Sequence, residues 1–374
     1  MSNPKTKKVH EPLIHLSKRG YVNPVRQVTV RLAALILGLL VCGAVAFLLI
    51  EKLRENPSRI GEFFYMFIKG PFGTPRKVWK FLKNTAILLC IALALTPAFR
   101  MRFWNTGGEG QTLVGVLGTI GVAFYLGGKI PDWLLLVLMF VAALLSGAVW
   151  GVIPALFKAR WNTNETLFTL MMNYVATYLV GFFLEIWVTN GSGALPRQEH
   201  ARLPSFGHDY LVIILVAVIL AIALYIYLDY TKHGYEINVV GESIRTAQYV
   251  GINERKVIIR TMLLSGALCG LTGYLIGAGL DQSITKNSVG GQGFTAIMVS
   301  WLAKFNPLLM ILSAGLITIL NLGAEQISQT FNVRSALTNV IVGIMLFFII
   351  GSEFFIQYEV HFRGHHDHVK EGIK

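Results

Sequence analysis

Ten apolar runs divide this sequence, and polar or glycine-rich segments separate them. A helix needs about 20 mainly apolar residues to cross the hydrocarbon core of a bilayer. The pattern predicts an all-α integral membrane protein with about ten transmembrane helices. We place the runs at 28–50, 84–99, 112–127, 133–156, 166–188, 210–229, 258–280, 294–303, 307–325 and 336–355.

Two of these runs, 112–127 and 294–303, are short for a span and begin on related glycine-rich segments. The first segment is Asn105-Thr-Gly-Gly-Glu-Gly-Gln-Thr112, and the second is Asn287-Ser-Val-Gly-Gly-Gln-Gly-Phe-Thr295. They are the third and the eighth run, five spans apart, so they start from opposite sides of the membrane. Short, glycine-broken segments in corresponding positions indicate an inverted repeat with broken helices around a central path. Two unrelated glycine turns are the alternative, and whether the two runs span fully or are re-entrant stays open.

The composition agrees with a membrane protein. Apolar residues make up 54% and charged residues 14% of the chain, whereas soluble domains carry about 25% charged residues. The net charge of +13 could indicate a nucleic-acid partner. However, the basic residues lie at the edges of apolar runs and in the first 27 residues, where the positive-inside rule places them. We therefore predict a lipid membrane, and no nucleic acid, as the surroundings of this chain.

The distribution of Lys and Arg predicts the orientation. With both termini in the cytoplasm, we expect a basic tail at 1–27, a transmembrane domain at 28–355 and a His-rich tail at 356–374. The predicted outer segment 51–83 disagrees with the rule, since it is rich in Lys and Arg, but a long segment crosses regardless of charge. Its middle, Phe63 to Pro75, is aromatic and broken by Gly and Pro, which favours an interfacial helix on the outer face.

The segment 231–257 has the pattern of a docking helix on the cytoplasmic side. Ile244, Ala247 and Val250 recur at helical spacing with charged and polar residues between them. An ordinary loop between spans lacks such a periodic face. The segment therefore predicts a short amphipathic helix that docks on a soluble protein, which makes this chain the membrane half of a larger machine.

One span carries polar residues at a spacing of four. Glu165, Thr169 and Asn173 share one helical face, and an Asn in hydrocarbon is costly unless it has a partner. Either these residues line a path for a polar solute, or they bond a neighbouring helix. In contrast, the small residues crowded between 265 and 279 predict close helix packing without a chemical role.

The sequence lacks the groups that a membrane enzyme needs. None of the nine histidines lies in an apolar run, so no base is available at depth. A phosphate-binding Gly-x4-Gly-Lys-Ser/Thr loop is missing, and the three cysteines lie in apolar runs without metal or disulfide spacing. We predict no catalytic residue, metal site or cofactor. An ion-coupled secondary transporter is the alternative of a different class, but its acidic candidates, Glu109 and Glu185, lie close to predicted span ends.

Three motifs in order identify a resemblance to a known family. They are Ala98-Phe-Arg-Met-Arg-Phe-Trp-Asn-Thr-Gly-Gly-Glu-Gly-Gln111, the segment Gly241 to Tyr274, and Gly291-Gln-Gly-Phe-Thr-Ala-Ile-Met-Val-Ser-Trp-Leu-Ala-Lys-Phe-Asn-Pro307. The chain, from about residue 80 to 355, resembles the permease subunits of ABC importers for ribose-type sugars, nucleosides and branched-chain amino acids. The run from Asn164 to Ala176 is most similar to the nucleoside branch.

This resemblance implies the partners and the functional residues. An ABC ATPase subunit hydrolyses ATP, an identical or sister permease completes a dimer, and an extracytoplasmic binding protein delivers the solute to a permease in the cell (inner) membrane. The implied solute path includes Asn105, Glu109, Gln111, Thr169, Asn173, Gln292, Phe294, Ser300 and Trp301. The implied ATPase-docking residues are Glu242, Ser243, Ile244, Arg245, Ala247, Gln248, Tyr249, Gly251 and Ile252.

The chain departs from the family pattern at two places. Ser243, Ile244 and Thr246 replace Asn, Pro and Ala in the docking motif, and the pair Ser300-Trp301 replaces two small residues in the third motif. The docking changes still permit an amphipathic helix, whereas Trp301 bears on the solute because a large ring narrows the path or stacks on a base. From the similarity of the run beginning at Asn164 to the nucleoside branch, the solute is expected to be a nucleoside, with a ribose-type sugar second and a branched-chain amino acid third.

Overall fold

A computed structural model describes residues 14–19, 23–188, 191–205 and 207–362 of the protein. The basic residues Lys5, Lys7 and Lys8 of the predicted N-terminal tail lie outside the described residues. The same holds for His365, His366 and His368 of the predicted C-terminal tail.

The described chain is almost entirely helical, which confirms the prediction of an all-α integral membrane protein. A two-stranded antiparallel ribbon adds the strands β1 (Ile14–Lys18) and β2 (Tyr358–Phe362). The helices are α1 (Pro24–Leu49), α2 (Glu51–Glu55), α3 (Ile60–Phe72), α4 (Pro75–Arg100), α5 (Gly108–Leu126), α6 (Asp132–Trp161), α7 (Glu165–Trp187), α8 (Leu211–Tyr230), α9 (Lys232–Glu242), α10 (Ile244–Tyr249), α11 (Glu254–Ile276), α12 (Gln292–Leu302), α13 (Pro307–Phe331) and α14 (Ser335–Gln357).

The sequence left open whether the two short runs span the membrane fully, and their helix lengths differ in the structure. Within the described residues, nine helices are long and apolar enough to cross a membrane, and α5 with 19 residues is one of them. The 11 residues of α12 extend over about 16 Å, which is half of the roughly 30 Å hydrocarbon core. Of the two runs, only α12 is therefore a half-length helix.

The pairing of the two strands restricts the number of crossings. Ile14 lies opposite Phe362 and Lys18 opposite Tyr358, so the segments before α1 and after α14 lie on the same side of the membrane. A chain whose ends share one side crosses an even number of times. The long helices among the described residues number nine, and we expect α12 with its flanking loops to complete a tenth crossing.

Side-chain caps begin many of the helices where the sequence changes from polar to apolar. Asn23 and Asn164 accept backbone N–H groups at the start of α1 and α7, and Ser243 and Asn253 do the same for α10 and α11. Each cap satisfies an N–H group that has no partner within the helix. The caps therefore fix where these helices begin.

Contact clustering divides the chain into two units, and the larger one comprises residues 71–322. At its centre α11 contacts α4, α5 and α6. A Cβ on Gly147 of α6 would lie 2.7 Å from the Cα of Gly270 on α11, and a Cβ on Gly115 of α5 would come equally close to that atom. Glycine is therefore required for these helix backbones to touch, as the small-residue pattern between 265 and 279 predicted.

Within this unit, the loops predicted to share one side of the membrane do lie together. Arg100 at the end of α4 forms an ion pair with Asp229 and donates from Nε to the carbonyl of Phe305. At the other end, Trp79 stacks on His208 with ring centroids 3.8 Å apart, and Leu195 donates its N–H to Ile284. The alternation of loops read from the sequence is thus present in the structure. Which end is cytoplasmic stays a prediction.

The smaller unit comprises residues 1–70 and 323–374. Here α1 packs along α14, and Arg31 forms a 3.2 Å ion pair with Glu353. The ribbon continues from this helix pair, and Arg19 binds Glu359 at 3.2 Å. The sequence predicted two separate tails, whereas the structure joins their described parts into one ribbon through backbone hydrogen bonds that the apolar pattern does not encode.

The predicted outer segment 51–83 is subdivided in the structure. The helix in its middle is α3, which ends at Phe72, before the predicted end at Pro75, and its place at the membrane interface stays a prediction. Thr74 then caps α4, whose first residues, 75–83, belong to a spanning helix. The basic stripe of 76–83 therefore extends the run that we placed at 84–99.

We expect Gly270→Ala to destabilise the protein by about 1–3 kcal/mol, because the added methyl would overlap the carbonyl oxygen of Ala143. Thermal unfolding of the purified full chain in detergent measures the effect. Gly351→Ala on α14 is the matched control, since its Cβ would meet nothing within 4 Å. Equal unfolding midpoints for the two variants would contradict the close packing of α6 and α11.

Candidate functional site

The amino ends of α5 and α12 meet inside the larger unit, and the carboxylate of Glu109 joins them. Its two oxygens accept the backbone N–H groups of Gly291 at 2.8 Å and Gly293 at 2.7 Å. These N–H groups lie at the start of α12, where the helix dipole favours negative charge. Meeting amino ends are what an inverted repeat of two broken helices would produce, although the repeat itself stays a prediction.

Glycine allows this junction to form. A Cβ on Gly293 would collide with the backbone of Glu109, so no other residue permits so close an approach. Gly290 and Gly291 have φ angles of +65° and +78°, which L-residues with a side chain rarely adopt. The glycine-rich segment 287–293 therefore turns the chain sharply and places α12 against Glu109.

A second set of hydrogen bonds holds the loop before α5. The side chains of Asn105 and Gln111 are paired at 3.1 and 3.2 Å, and Asn105 Nδ2 also donates to Ser265 Oγ on α11 at 3.3 Å. Asn105 Oδ1 in addition accepts the N–H of Gly107 at 3.0 Å. Both amides are buried, so this pairing stabilises a turn of irregular backbone next to α11.

Helix α7 holds the other side of the same loop. Asn173 Oδ1 accepts the N–H of Gly110 at 2.8 Å, and its Nδ2 donates to the carbonyl of Thr106 at 2.9 Å. The hydroxyl of Thr169 accepts the N–H of Thr106 at 3.1 Å. Asn173 and Thr169 thus satisfy backbone groups that helix α5 leaves unpaired. Glu165 does not join them, because its carboxylate pairs with Lys158 at 2.9 Å.

The predicted path residues divide into an interior and an exposed group. Asn105, Gln111, Thr169, Asn173 and Ser300 are buried and hydrogen-bonded within the protein. Glu109 and Gln292 are partly exposed, and the side chains of Phe294 and Trp301 on α12 are 42% and 51% exposed. In this structure only the second group can meet a solute directly, while the first group positions the loops.

An aromatic cluster extends the exposed group beyond the predicted residues. Trp104 stacks on Trp301 with ring centroids 5.3 Å apart and an angle of 26° between the rings. Phe99 and Phe305 pack against these indoles at 5.9 and 6.2 Å. The sequence analysis did not single out Trp104, although it stands inside the first family motif, directly before Asn105. We call Trp104 and Trp301 the indole pair.

The predicted docking segment folds as two helices, α9 and α10. Ala247 is completely buried in a cluster that includes Ala98, Leu228 and Val257, while Ile252 packs against its edge. The apolar repeat is therefore split, because Ala247 faces the interior of the protein and Ile244 and Val250 face outward. The outward docking residues are Glu242, Ile244, Arg245, Gln248, Tyr249 and Gly251, with Ser243 partly buried as the cap of α10.

Comparison with known proteins decides the family. A family model described as branched-chain amino acid transport system / permease component matches residues 78–350. The chain belongs to this family. The match spans all of the larger unit except residues 71–77, and it includes every predicted path and docking residue. The prediction of an ABC importer permease, made from three sequence motifs, is thereby confirmed.

Several characterised permeases are similar over most of their length. The guanosine ABC transporter permease NupP of Bacillus subtilis is 30% identical and covers 76% of this permease and 83% of its own chain. The glucose ABC transporter permease TsgB13 of Haloferax volcanii is 29% identical over an alignment that covers 87% of this chain and 88% of TsgB13. The nucleoside ABC transporter permease NupB of Lactococcus lactis is 26% identical over an alignment that covers 87% of this chain and 92% of NupB.

We expect Glu109→Gln to loosen the junction between α5 and α12. An amide offers one oxygen, so one of the two charge-assisted hydrogen bonds to the α12 backbone is lost, at a cost of about 1.5–3 kcal/mol. Thermal unfolding of the full-length permease measures this loss. The control is Glu185→Gln, since Glu185 lies exposed near the end of α7. Unfolding midpoints that do not differ between the two variants would mean that the carboxylate does not hold α12.

Proposed function

We propose that this permease forms the membrane path of an ATP-driven, binding-protein-dependent importer and that a separate ATPase subunit docks on α10. The observation that supports docking is the outward surface formed by Ile244, Tyr249 and Val250, which we call the coupling surface. These three side chains are 51%, 91% and 53% exposed. They project from a helix whose opposite side is anchored by the buried Ala247. Apolar side chains in this position fit a soluble partner.

The contacts of α9 and α10 transmit movement from the coupling surface to the membrane helices. Gln248 donates to Glu254 at the start of α11 at 2.7 Å. A Cβ on Gly241 would collide with the carbonyl of Arg100, so the end of α9 touches the end of α4 directly. Because α11 contacts α5 and α4 contacts α12, a displacement of α10 would reach both helices of the Glu109 junction.

A groove beside the start of α10 adds shape to this proposed docking site. It has a volume of about 450 Å³ and lies between α9–α10 and the ends of α4 and α6. Arg102, Arg245 and Lys158 contribute positive charge, and Glu165 and Glu242 contribute negative charge. A partner side chain inserted here would contact both the docking helix and the loops of the membrane domain.

We expect Tyr249→Ala to release the ATPase while the permease still inserts into the membrane. Tyr249 has the most exposed side chain of the coupling surface, so its truncation removes apolar contact area with the partner. Co-purification of the ATPase subunit with the tagged permease measures the effect, and at least a tenfold loss is expected. Tyr65→Ala on α3 is the control, because Tyr65 is 57% exposed on the segment predicted to face outside. Retention of the ATPase by the Tyr249 variant would contradict docking on α10.

The solute that we propose is a nucleoside, with a ribose-type sugar as the second candidate and a branched-chain amino acid as the third. Two of the similar proteins transport guanosine and nucleosides, and a glucose permease of comparable identity supports the sugar alternative. The indole pair favours the nucleoside, since a flat exposed indole offers a stacking surface for a base. A sugar can also stack on an aromatic ring, but its binding depends less on two parallel rings than the binding of a base does.

The assembly follows from the same proposal. A second permease chain, identical or a sister, completes the path, and an extracytoplasmic binding protein delivers the nucleoside to the end that contains the 191–209 loop. ATP-driven movement of the ATPase subunits then alternates the access of the path, without chemistry on the solute. Both termini of the permease lie in the cytoplasm, on the side of α10.

We expect cells with the complete transporter to take up labelled guanosine, and unlabelled nucleosides to compete while ribose, glucose and leucine do not. The physical reason is that only a nucleoside combines a planar base with a hydroxylated ring. Uptake of leucine without guanosine would exclude the nucleoside assignment. Uptake that persists without the ATPase but collapses with an uncoupler would exclude the ABC mechanism in favour of ion coupling.

A further inference from the structure

Two tyrosines lie exposed near the middle of α7. Tyr174 and Tyr178 are 58% and 74% exposed, and each stands two residues from the centre of a helix that runs from Glu165 to Trp187. With a rise of about 1.5 Å per residue, both are within about 3 Å of the helix centre. Their side chains therefore lie near the midplane of the membrane.

Their hydroxyl groups lack a partner in the part of the chain that the structure describes. Among the described residues, neither Tyr174 nor Tyr178 forms a hydrogen bond. A hydroxyl without a partner is unfavourable in hydrocarbon, and tyrosines that contact lipid prefer the membrane–water interface. The other exposed tyrosines on described spanning helices follow that preference, since Tyr125 and Tyr230 lie in the last turns of α5 and α8.

Helix α8 shows what a lipid-facing stripe looks like in this same chain. From its first turn to its last, the large apolar side chains exposed before Tyr230 are aliphatic, namely Leu215, Val218, Ile219, Ile222 and Ile226. The exposed side of α7 also carries aliphatic residues, namely Leu167, Val175 and Ile186, but Tyr174 and Tyr178 stand at its centre between Met171 and Phe182. Two hydroxylated rings in the centre of that stripe are the wrong chemistry for lipid.

The direction of this stripe is set by the opposite side of α7. Asn173 and Thr169 are bound to the loop before α5, and this fixes the rotation of the helix about its axis. Tyr174 is therefore held outward, and the neighbouring Asn173 binds the loop that carries Trp104 of the indole pair. Because Thr106 of that loop binds Thr169 while Trp104 stacks on Trp301, the loop connects α7 with the exposed part of α12.

We propose that Tyr174 and Tyr178 face the aqueous translocation path and contact the solute as it passes. This proposal rests on the proposed function, and it adds two residues that determine specificity. Each tyrosine offers a ring for stacking and a hydroxyl that donates or accepts a hydrogen bond. A solute with a planar ring and several hydrogen-bonding groups uses both properties. The indole pair and the tyrosines then form successive aromatic contacts along the path.

Cysteine accessibility tests the position of these residues independently of the solute. Tyr174→Cys and Tyr178→Cys are introduced singly into the full chain, in membranes that contain the complete transporter. The three native cysteines, Cys42, Cys90 and Cys269, are buried and give little background. The probe is a charged, membrane-impermeant methanethiosulfonate, applied with and without ATP. It reacts with the thiolate, which forms in water and not in lipid.

The matched control is Ile219→Cys on α8. The Ile219 side chain is 64% exposed, and it lies at a depth in the membrane similar to that of the two tyrosines. We expect labelling of Cys at 174 and 178 in at least one condition and none at 219. Absence of labelling at both tyrosine positions would overturn the proposal, because the stripe would then face lipid. A second result would also overturn the proposal, namely a disulfide between two chains through Cys at 178 without labelling of that position. The stripe would then form a contact between subunits.

Uptake measurements test the contact with the solute. For Tyr178→Phe, we expect the half-saturating guanosine concentration of the whole transporter to rise about five- to tenfold, as expected for one lost hydrogen bond. Ile219→Ala should leave it unchanged. An unchanged value in Tyr178→Phe would overturn the hydroxyl contact. If the unmodified transporter takes up no guanosine while labelling at 174 and 178 occurs, the nucleoside assignment fails and the assignment of the path stands.

Discussion

Irregular backbone inside a membrane has to be hydrogen-bonded by the protein, because hydrocarbon offers no partner. In this permease that constraint applies to the two glycine-rich segments before α5 and α12. Glu109 satisfies the start of α12, while Asn105, Gln111 and Asn173 satisfy the loop before α5. If these polar side chains were replaced by apolar ones, the broken helices would lose the only local partners that the described structure provides for those backbone groups.

The same side chains connect the helices mechanically. Asn105 reaches α11 through Ser265, Asn173 belongs to α7, and Glu109 bridges from α5 to α12. Polar bonds thus join four helices that otherwise meet through glycines and apolar surfaces. A displacement of α10 would meet this network at α11, and by this route the docking that we propose would be coupled to the half-length helix α12.

Much of the candidate site was accessible from the sequence, although the roles of its residues were not. The paired glycine-rich segments and the polar residues of α7 pointed to the correct regions, since polar groups in apolar runs are rare and have to be satisfied. Whether such a group lines a path or bonds a neighbour depends on which other helix stands opposite. Asn173 and Thr169 prove to be bound to the loop before α5. In contrast, Tyr178, which looked ordinary in the sequence, is exposed, and Trp104 is partly buried against Trp301.

The sequence by itself determined the class, the family and the number of apolar runs, because hydropathy, charge and local motifs act over short stretches of chain. Only the tertiary structure decided that α12 is a half-length helix held by Glu109, and that Ala247 faces inward while Tyr249 faces outward. It also decided that the described parts of the two tails pair as a ribbon. These features depend on contacts between residues far apart in the chain, such as Glu109 with Gly293 and Ile14 with Phe362, and no local pattern records which distant partner a polar group will meet.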